Sequence, residues 1–592
     1  MRKLKPNIRL KRLAARATNM TDFKIEKFPF DQAAVNDWGL ADPVGVDWPV
    51  VYTLSSDDQI YVGETLNATS RLTQHLKSSS KQNLKSVQII LNARFNKSAC
   101  LDLESQLIKY FAADGTHRVL NANSGITEAN YFERDSYRES FKELFDLLVK
   151  DGLLSRPIEE IVNSNLFKFS PFKSLNTEQA VVVSEITERI VEDVKSLKTG
   201  QLIVQGDPGT GKTIVAIYLV KLLKDIALMS SDELVEQESV FSELFTEQSA
   251  DAIRELRIGL VVPQQALRKT LQTVFSKTPG LDKSMVMTPF DAADSNEDFD
   301  LLIVDEAHRL GQRANQSSAM QNKKFSELNR KLFGSDDSSI TQLDWITKKS
   351  KLQLLLLDTA QAVRPADLPL ATTEKLISDA STNKSLFRLT SQMRVTGGKD
   401  YLEFVRALFS DSPLPRKDFN GYDLRFYEDA GQMRRDILKL DAEHGLSRLL
   451  AGFAWPWASK NNPAATDIKL DGLELKWNQT AVDWVNSPTS KNEVGSIHTI
   501  QGYDLNYAGV IIGNDISYNP LTKQITFSRE NYHDVKGREN NAARGIVYTD
   551  EDVLQWVLNI YRVLLTRGIK GTFIYVCDAE LRKLIKQRLE FK

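Results

Sequence analysis

The chain has 592 residues, a formal net charge of −2 and 26% charged residues, which is ordinary for a globular protein in water. A net charge this close to zero excludes a global positive field, so any nucleic-acid contact must come from local basic patches. The two cysteines, Cys100 and Cys577, lack the spacing of a disulfide framework or a metal site. No apolar run approaches the roughly 20 residues of a membrane span. We therefore expect a cytoplasmic protein with no membrane partner.

The first twenty residues contain seven Lys or Arg and no acidic residue. They have no long apolar core, so a secretory signal is not predicted. A flexible basic arm that touches nucleic acid and a solvated tail are both open interpretations. Met1 and Met20 are alternative starts of the chain.

Residues 50–54 and 59–63 are β-rich runs on either side of a polar turn, which predicts a β-hairpin. Residues 69–76 then predict a helix. Arg71 and His75 are four residues apart and share a face of this helix. A polar pair on one helical face is therefore expected close to the hairpin.

A second helix, predicted at residues 98–111, follows a predicted strand at 87–91. Glu104 lies on the apolar stripe of this helix. A carboxylate in that position is costly unless it is paired or binds a metal. Asn121 ends the next short apolar run.

These residues resemble the GIY-YIG nuclease domain over roughly residues 48–130. Tyr52 matches the last position of the first motif, and Tyr61, Val62 and Gly63 match the second. The chain departs from the family where two valines replace the Gly-Ile pair before Tyr52. The resemblance implies a small α+β domain that cleaves phosphodiester bonds.

In that family the matching residues have distinct roles. The resemblance implies that Tyr52 helps to deprotonate the attacking water, Arg71 neutralises the scissile phosphate and Glu104 holds a single divalent metal. Such cleavage needs an activated water, a cation on the phosphate and a metal; we expect Mg²⁺, with Mn²⁺ as an alternative. A fold that kept only nucleic-acid binding is the other interpretation. The resemblance also implies that Tyr61, His75 and Asn121 support the nuclease site by hydrogen bonds.

A phosphate-binding pattern, G-x-x-x-x-G-K-[ST], lies between an apolar run at 201–205 and a helix-length run at 214–223. Its glycines let backbone N–H groups turn toward phosphates at a helix N-terminus. Lys212 is expected to reach the β- and γ-phosphates of ATP, and Thr213 to hold Mg²⁺. The predicted nucleotide-binding residues of this loop are Gly206, Asp207, Pro208, Gly209, Thr210, Gly211, Lys212 and Thr213.

Polar residues also follow two other buried-strand runs. At the end of the first, Asp305 is expected to hold the Mg²⁺ water shell and Glu306 to polarise the water that attacks the γ-phosphate. After the second, Gln361 is a candidate γ-phosphate sensor. Upstream of the loop, Gln179 has an amide that can pair with adenine.

From Gln179 to Arg567, the order of motifs resembles the superfamily 1 helicase core. More narrowly it resembles the DUF2075 group, which is related to the helicase-like part of Schlafen proteins. The resemblance covers about residues 170–592 and implies two RecA-like lobes. It implies that Arg394 and Arg567 reach the γ-phosphate from the second lobe. Gly502 would belong to the motif that couples nucleotide state to the nucleic-acid track.

The predicted fold class is α/β, with a small α+β GIY-YIG domain followed by two RecA-like parallel α/β lobes. The polar segment 516–548, inside the second lobe, is predicted to be a mobile loop. The expected division is a basic arm and lead-in at 1–47, the GIY-YIG-like domain at 48–130, a helical linker at 131–170, the ATP-binding lobe at 171–380 and the second lobe at 381–592.

The expected function is that of an ATP-dependent helicase or translocase fused to a metal-dependent endonuclease. DNA is the expected substrate in preference to RNA, and restriction of foreign DNA or DNA processing is the expected role. An ATP-driven switch or scaffold, with a GIY-YIG domain that binds nucleic acid without cutting it, is the alternative. A protein partner or a homo-oligomer is left open.

Overall fold

The structure is a computed structural model in which the chain divides into two compact units. The N-terminal unit comprises residues 1–180, 217–254 and 272–283, and the C-terminal unit comprises the remainder. Within the described residues, no helix is both long and apolar enough to cross a membrane. The structure describes residues 23–41, 47–121, 131–172, 175–228, 241–314, 318–358, 364–462, 464–480, 484–500 and 503–590. The predicted basic arm at the N-terminus, Gln361 and Gly502 lie outside these ranges.

A five-stranded sheet forms the centre of the N-terminal unit. Its strands are β1 (Lys24–Pro29), β2 (Val50–Ser55), β3 (Gln59–Thr65), β4 (Ser86–Leu91) and β5 (Arg118–Val119). The order is β1-β4-β2-β3-β5, and all neighbours are antiparallel except β3 and β5. The predicted hairpin is therefore confirmed as β2 and β3, and the predicted strand at 87–91 as β4.

Helices cover both faces of this sheet. Strand residues alternate between the faces, so Val51 and Val62 pack on one face and Tyr52 and Leu54 on the other. The helices predicted at residues 69–76 and 98–111 are confirmed as α2 and α3 in the list that follows. The helices are α1 (Gln32–Ala41), α2 (Ala68–Lys77), α3 (Lys97–Asp114), α4 (Arg134–Lys150), α5 (Ile158–Asn163) and α6 (Asn165–Lys168).

Two elements of this unit come from segments that the sequence analysis placed outside the domain. Strand β1 belongs to the predicted lead-in, and helix α4 to the predicted linker. Buried Asp102 of α3 accepts hydrogen bonds from Arg138 of α4 at 2.9 and 3.0 Å. The predicted domain limits remain a proposal. Strand β1 pairs with β4, and helix α4 bonds to α3, so both contact the predicted domain at 48–130.

The first sheet of the C-terminal unit has six strands, all parallel, in the order β11-β6-β10-β9-β7-β8. These strands are β6 (Gly200–Gly206), β7 (Ile258–Val261), β8 (Val286–Met287), β9 (Phe299–Val304), β10 (Ser350–Leu357) and β11 (Leu386–Leu389). The helices found along the same stretch of chain are α7 (Thr177–Lys195), α8 (Lys212–Leu228), α9 (Glu247–Ile253), α10 (Gln265–Lys277), α11 (Pro289–Asp294), α12 (Ala319–Phe333), α13 (Gln342–Lys349) and α14 (Leu370–Thr382).

The second sheet has seven strands, and only its last two are antiparallel to each other. In chain order, the strands that follow are β12 (Asp423–Tyr427), β13 (Ser447–Ala451), β14 (Ile468–Leu470), β15 (Leu473–Trp477), β16 (Glu493–Gly495), β17 (Leu505–Ile512), β18 (Ile516–Asn519), β19 (Gln524–Phe527) and β20 (Gly568–Val576). The sheet order is β12-β20-β17-β13-β16-β15-β14, while β18 and β19 form a separate pair. The helices are α15 (Gly398–Ala407), α16 (Ala430–His444), α17 (Ile497–Ile500), α18 (Asp550–Leu565) and α19 (Ala579–Glu590).

Two largely parallel sheets confirm the predicted α/β class with RecA-like lobes. The prediction of a loop over 516–548 is wrong at its start, where β18 and β19 form a hairpin. Tyr518, Ile525 and Phe527 of this hairpin pack against the core of the unit. Ile516 and Tyr518 on one strand, and Ile525 and Phe527 on the other, are each two residues apart, a strand signal that the surrounding polar residues conceal.

Candidate nucleotide site and N-terminal cluster

The predicted phosphate-binding loop connects β6 to α8. Strand β6 ends at Gly206, and α8 begins at Lys212. Gly209 and Gly211 have φ angles of 84° and 83°, in the left-handed region that glycine enters without steric cost. The loop therefore has the strand–loop–helix geometry in which backbone N–H groups and a helix N-terminus bind phosphate.

The ammonium of Lys212 lies inside this loop. Its Nζ donates to the carbonyl oxygens of Gly206 at 2.6 Å and Asp207 at 3.0 Å, and it lies 3.5 Å from a carboxylate oxygen of Asp358. The Thr210 hydroxyl makes a hydrogen bond inside the loop, donating to the Asp207 carbonyl at 2.9 Å. An ammonium has three donors, so phosphate oxygens could take over these N–H groups. The residues present fit a nucleotide phosphate.

Thr213 lies in the first turn of α8, and Asp305 directly follows β9. The Thr213 hydroxyl donates to Asp305 Oδ2 at 2.7 Å. Burial, and then the neighbouring Glu306 carboxylate, raise the pKa of Asp305 to about 6. A hydroxyl and a carboxylate beside phosphate oxygens form the donor set that Mg²⁺ prefers. These residues therefore fit the metal that the loop implies.

Glu306 is held in an unusual conformation by its neighbours. Its φ is 52°, a strained value for a residue with a side chain. His308 Nδ1 accepts the Asp358 backbone N–H at 3.3 Å, so the ring proton is on Nε2, 3.0 Å from Glu306 Oε2. Burial opposes ionisation, but the His308 contact and then Lys212 lower the pKa of Glu306. Glu306 is therefore a carboxylate suited to polarise a water molecule.

Replacing Glu306 with glutamine should lower ATP turnover by about 10²- to 10⁴-fold while ATP binding is retained, because the amide cannot accept a proton. Turnover and binding of labelled ATP are the two measurements. The matched control is Glu297→Gln, at an exposed carboxylate of the same lobe. Unchanged hydrolysis in Glu306→Gln would remove Glu306 from this role.

The segment that follows β11 lies directly on the apex of the loop. Gln392 Nε2 donates to the Pro208 carbonyl at 2.7 Å, and the Met393 N–H donates to the Gly209 carbonyl at 2.9 Å. A Cβ atom at Gly209 would lie 2.2 Å from Gln392 Oε1, so this contact requires glycine. Sequence reasoning missed Gln392, although its position two residues before Arg394 was a usable signal.

Both predicted arginines lie in the same region. Arg394 forms an ion pair with Asp504. Arg567 is buried and donates to the Tyr503 carbonyl at 3.4 Å. Burial, and then the charge of Arg394, lower the pKa of Arg567 to about 9, while Asp504 and then Glu306 oppose that shift. The structure thus places Arg567 within electrostatic reach of the carboxylate that would activate water.

Gln179 stands at the start of α7 in the N-terminal unit. Its side-chain oxygen accepts the Asn176 N–H at 3.1 Å, and its own N–H donates to Asn176 Oδ1 at 2.7 Å. This reciprocal pair stabilises the start of the helix. Recognition of adenine by Gln179 remains a prediction.

The N-terminal cluster consists of Tyr52, Tyr61, Arg71, His75 and Glu104. Tyr52 is fully buried, and its ring centroid lies 6.4 Å from that of Tyr61. Tyr52 pairs with Gly63 across the hairpin, where an added Cβ would lie 2.4 Å from Tyr52 Cζ and Oη. The glycine of the second motif is therefore required by the tyrosine of the first.

Replacing Gly63 with alanine should displace the Tyr52 ring and destabilise the hairpin by about 1–3 kcal/mol, the usual cost of overpacking. Hydrogen exchange measured by mass spectrometry should show faster exchange in β2 and β3. The control is Gly200→Ala, where an added Cβ meets nothing within 4 Å. Equal protection of the hairpin in Gly63→Ala would contradict this account of the glycine.

His75 and Arg71 reach Tyr52 from helix α2. His75 Nε2 lies 2.7 Å from Tyr52 Oη, and Arg71 also makes a hydrogen bond to Tyr52. Burial raises the pKa of Tyr52 well above its usual value, and the Tyr61 hydroxyl adds to this, whereas Arg71 opposes it. The predicted pair on one helical face therefore meets the predicted tyrosine.

Glu104 and Asn121 lie along the edge of β3. Asn121 accepts the Val62 N–H at 3.0 Å and donates to the Val62 carbonyl at 2.8 Å. The Glu104 carboxylate accepts the N–H of Glu64. Burial, and then the Glu64 carboxylate, raise the pKa of Glu104 to about 8. Asn121 thus binds β3 at Val62, two residues before Glu64, the residue to which Glu104 binds.

A divalent cation would favour the ionised form of Glu104. Across the described residues, no group of three or more His, Cys, Asp or Glu side chains is placed to hold a metal. A single carboxylate still fits Mg²⁺, which is often bound by one or two carboxylates together with water and phosphate oxygens. The cluster therefore fits a metal that is held jointly by Glu104 and a nucleic-acid phosphate.

The family comparison concerns the C-terminal part of the chain. Residues 200–578 match the family described as Schlafen group 3, DNA/RNA helicase domain. The uncharacterized protein YPL245W of Saccharomyces cerevisiae is 25% identical over 411 residues, which is 64% of this chain and 82% of that protein. The family match includes Lys212, Asp305 and Arg567 and begins after the N-terminal cluster. The chain belongs to the Schlafen group 3 DNA/RNA helicase-domain family, and carries that domain over residues 200–578.

Proposed function

We propose that this chain is an ATP-dependent nucleic-acid helicase or translocase joined to a metal-dependent GIY-YIG endonuclease. DNA is the proposed substrate in preference to RNA, and the cofactors are ATP and Mg²⁺, with Mn²⁺ as an alternative at the nuclease site. The observation that carries the motor is the hydrogen bond between Thr213 and Asp305 at 2.7 Å, next to a glycine loop of the required geometry.

In the motor, each residue acts on a different part of the nucleotide. Lys212 and the loop N–H groups bind the phosphates, and Glu306 takes a proton from the attacking water. Mg²⁺, when bound by Thr213 and Asp305, neutralises charge on the phosphate oxygens. Arg394 and Arg567 add positive charge from the second lobe. Hydrolysis is thereby linked to movement of that lobe along nucleic acid.

In the nuclease, the N-terminal cluster acts on a phosphodiester. Tyr52 takes part in removing a proton from the attacking water, and Arg71 compensates charge on the scissile phosphate. Glu104 would hold the metal, which stabilises the leaving oxygen when bound. Support comes from the hydrogen bonds that join Tyr52 to His75 and Arg71.

ATP hydrolysis measured with single-stranded and double-stranded DNA and RNA tests the motor. We expect nucleic acid to raise the turnover number, and DNA to raise it more than RNA. Glu306→Gln is the control for contaminating ATPases. Turnover that is the same with and without every nucleic acid would contradict a translocase and favour an ATP-driven switch.

A non-cleaving N-terminal domain is the second candidate, and the burial of Tyr52 favours it. A general base must reach its water, and Tyr52 has no exposed surface. Val50 and Val51, which replace the Gly-Ile pair of the family, agree with this alternative. Nucleic-acid binding without cleavage in Mg²⁺ or Mn²⁺ would support it.

A motor joined to a nuclease suits restriction of foreign DNA or another form of DNA processing. This role rests on the pairing of the two activities. Chromosomal replacement of the gene by a Glu104→Ala copy should change sensitivity to viruses or to DNA damage. Unchanged sensitivity to both would contradict the role and leave the two biochemical activities standing.

A further inference from the structure

Both ring nitrogens of His75 have partners, and only one of the two partners, Tyr52, is a predicted site residue. Nε2 lies 2.7 Å from Tyr52 Oη, while Nδ1 lies 2.8 Å from the ammonium nitrogen of Lys81. His75 is 3% exposed, so water has little access to the ring. The contacts with Tyr52 and Lys81 therefore decide which nitrogen carries the proton.

The chemistry of Lys81 settles this choice. An ammonium has three donors and no acceptor, so Nδ1 must accept from Lys81. Burial, and then the Lys81 charge, lower the pKa of His75 to about 3, which keeps the ring neutral near pH 7. A neutral imidazole has one N–H. That N–H is on Nε2 and donates to the Tyr52 oxygen.

Lys81 also contacts the tyrosine of the second motif. It ends the short turn Ser79–Lys81 that follows α2, and its Nζ lies 3.9 Å from the centroid of the Tyr61 ring. This is a cation–π contact. The Lys81 ammonium thus contacts both Tyr61 and His75. Lys81 is not one of the residues that carry the GIY-YIG resemblance.

We propose that Lys81 is a positioning residue of the N-terminal cluster, which fixes His75 as the Nε2–H tautomer so that the Tyr52 oxygen accepts from both His75 and Arg71. Two donors on this oxygen would stabilise a Tyr52 phenolate, the form that accepts a proton from the attacking water in the proposed nuclease. In the opposite tautomer, Nε2 would accept the Tyr52 O–H and would direct that proton into the protein. The consequence for catalysis rests on the proposed nuclease, whereas the tautomer does not.

Long-range ¹H–¹⁵N correlation spectra of the full chain, labelled at its six histidines, measure the tautomer directly. His75→Gln identifies the His75 signals by their disappearance. In the wild type we expect an Nε2 signal that is protonated and an Nδ1 signal that is not. In Lys81→Met, which keeps the length of the side chain and loses the donors, we expect signals of the Nδ1–H form. Lys81→Arg should retain the wild-type pattern.

The control for general loss of charge is Lys77→Met, at an exposed lysine in the last turn of α2. It should leave the His75 signals unchanged, and the other five histidines report whether each variant folds. An Nδ1–H tautomer in the wild type, or an unchanged Nε2–H tautomer in a folded Lys81→Met protein, would overturn the inference.

Cleavage assays separate this inference from the proposed function. Lys81→Met should cut DNA about 10- to 100-fold more slowly, the usual effect of removing a partner that orients a reactive group, and Lys81→Arg should recover most of the rate. Equal cleavage by Lys81→Met and the wild type would contradict the positioning role. A wild type that shows the expected tautomers but never cuts would refute the nuclease and support the tautomer assignment.

Discussion

Replacing Lys212 with alanine is expected to abolish ATP hydrolysis, with turnover falling at least about 10³-fold. Removal of one preorganised donor alone costs 10²- to 10³-fold in other enzymes. Here the lost ammonium is buried and makes contacts inside the loop that is predicted to bind the β- and γ-phosphates. Steady-state release of phosphate from ATP, with saturating DNA, is the measurement.

Lys198→Ala is the matched control, because it removes an exposed lysine that precedes the same strand. Its turnover should equal that of the wild type. Normal turnover in Lys212→Ala would contradict the assignment of the loop as the ATP site. A fall in both variants would indicate damage to the lobe rather than to the site.

Replacing Glu104 with alanine is expected to stop phosphodiester cleavage and to leave ATP hydrolysis intact. A bound metal contributes several kcal/mol to stabilisation of the transition state, so the cleavage rate should fall by on the order of 10³-fold. Binding of Mn²⁺ followed by titration calorimetry gives a second readout, and the affinity at this site should be lost.

Glu139→Ala is the control for this variant, since Glu139 is an exposed carboxylate on the neighbouring helix α4. It should cut and bind Mn²⁺ as the wild type does. Continued Mg²⁺-dependent cutting by Glu104→Ala would mean that the nuclease site is elsewhere. Loss of ATP hydrolysis in Glu104→Ala would mean that the substitution disturbs more than the cluster.

The candidate nucleotide site was largely predictable because most of its residues are adjacent in the chain. The glycine loop, Lys212 and Thr213 follow one strand, and Asp305 ends another, so a local pattern identifies them. His308 and Gln392 were harder to identify. Their roles depend on which backbone group of a distant segment lies within hydrogen-bond distance, the Asp358 N–H for His308 and the Pro208 carbonyl for Gln392. Strand order is not encoded locally.

The same distinction holds for the N-terminal cluster. Alternating residues fixed the hairpin, and helical spacing placed Arg71 and His75 on one face. Lys81 was missed because it lies in a short turn after that helix, where no periodic pattern indicates which way a side chain points. The predictions for Gln361 and Gly502 fall outside the described residues and stay predictions.

A motor that controls a nuclease can be tested in one assay: cleavage of labelled DNA and RNA, single- and double-stranded, by the full chain with Mg²⁺ or Mn²⁺, with and without ATP. We expect DNA cleavage that requires Glu104 and changes in rate when ATP is added, with no ATP effect in Lys212→Ala. Cleavage that is the same in Glu104→Ala, or no cleavage under any of these conditions, would contradict it.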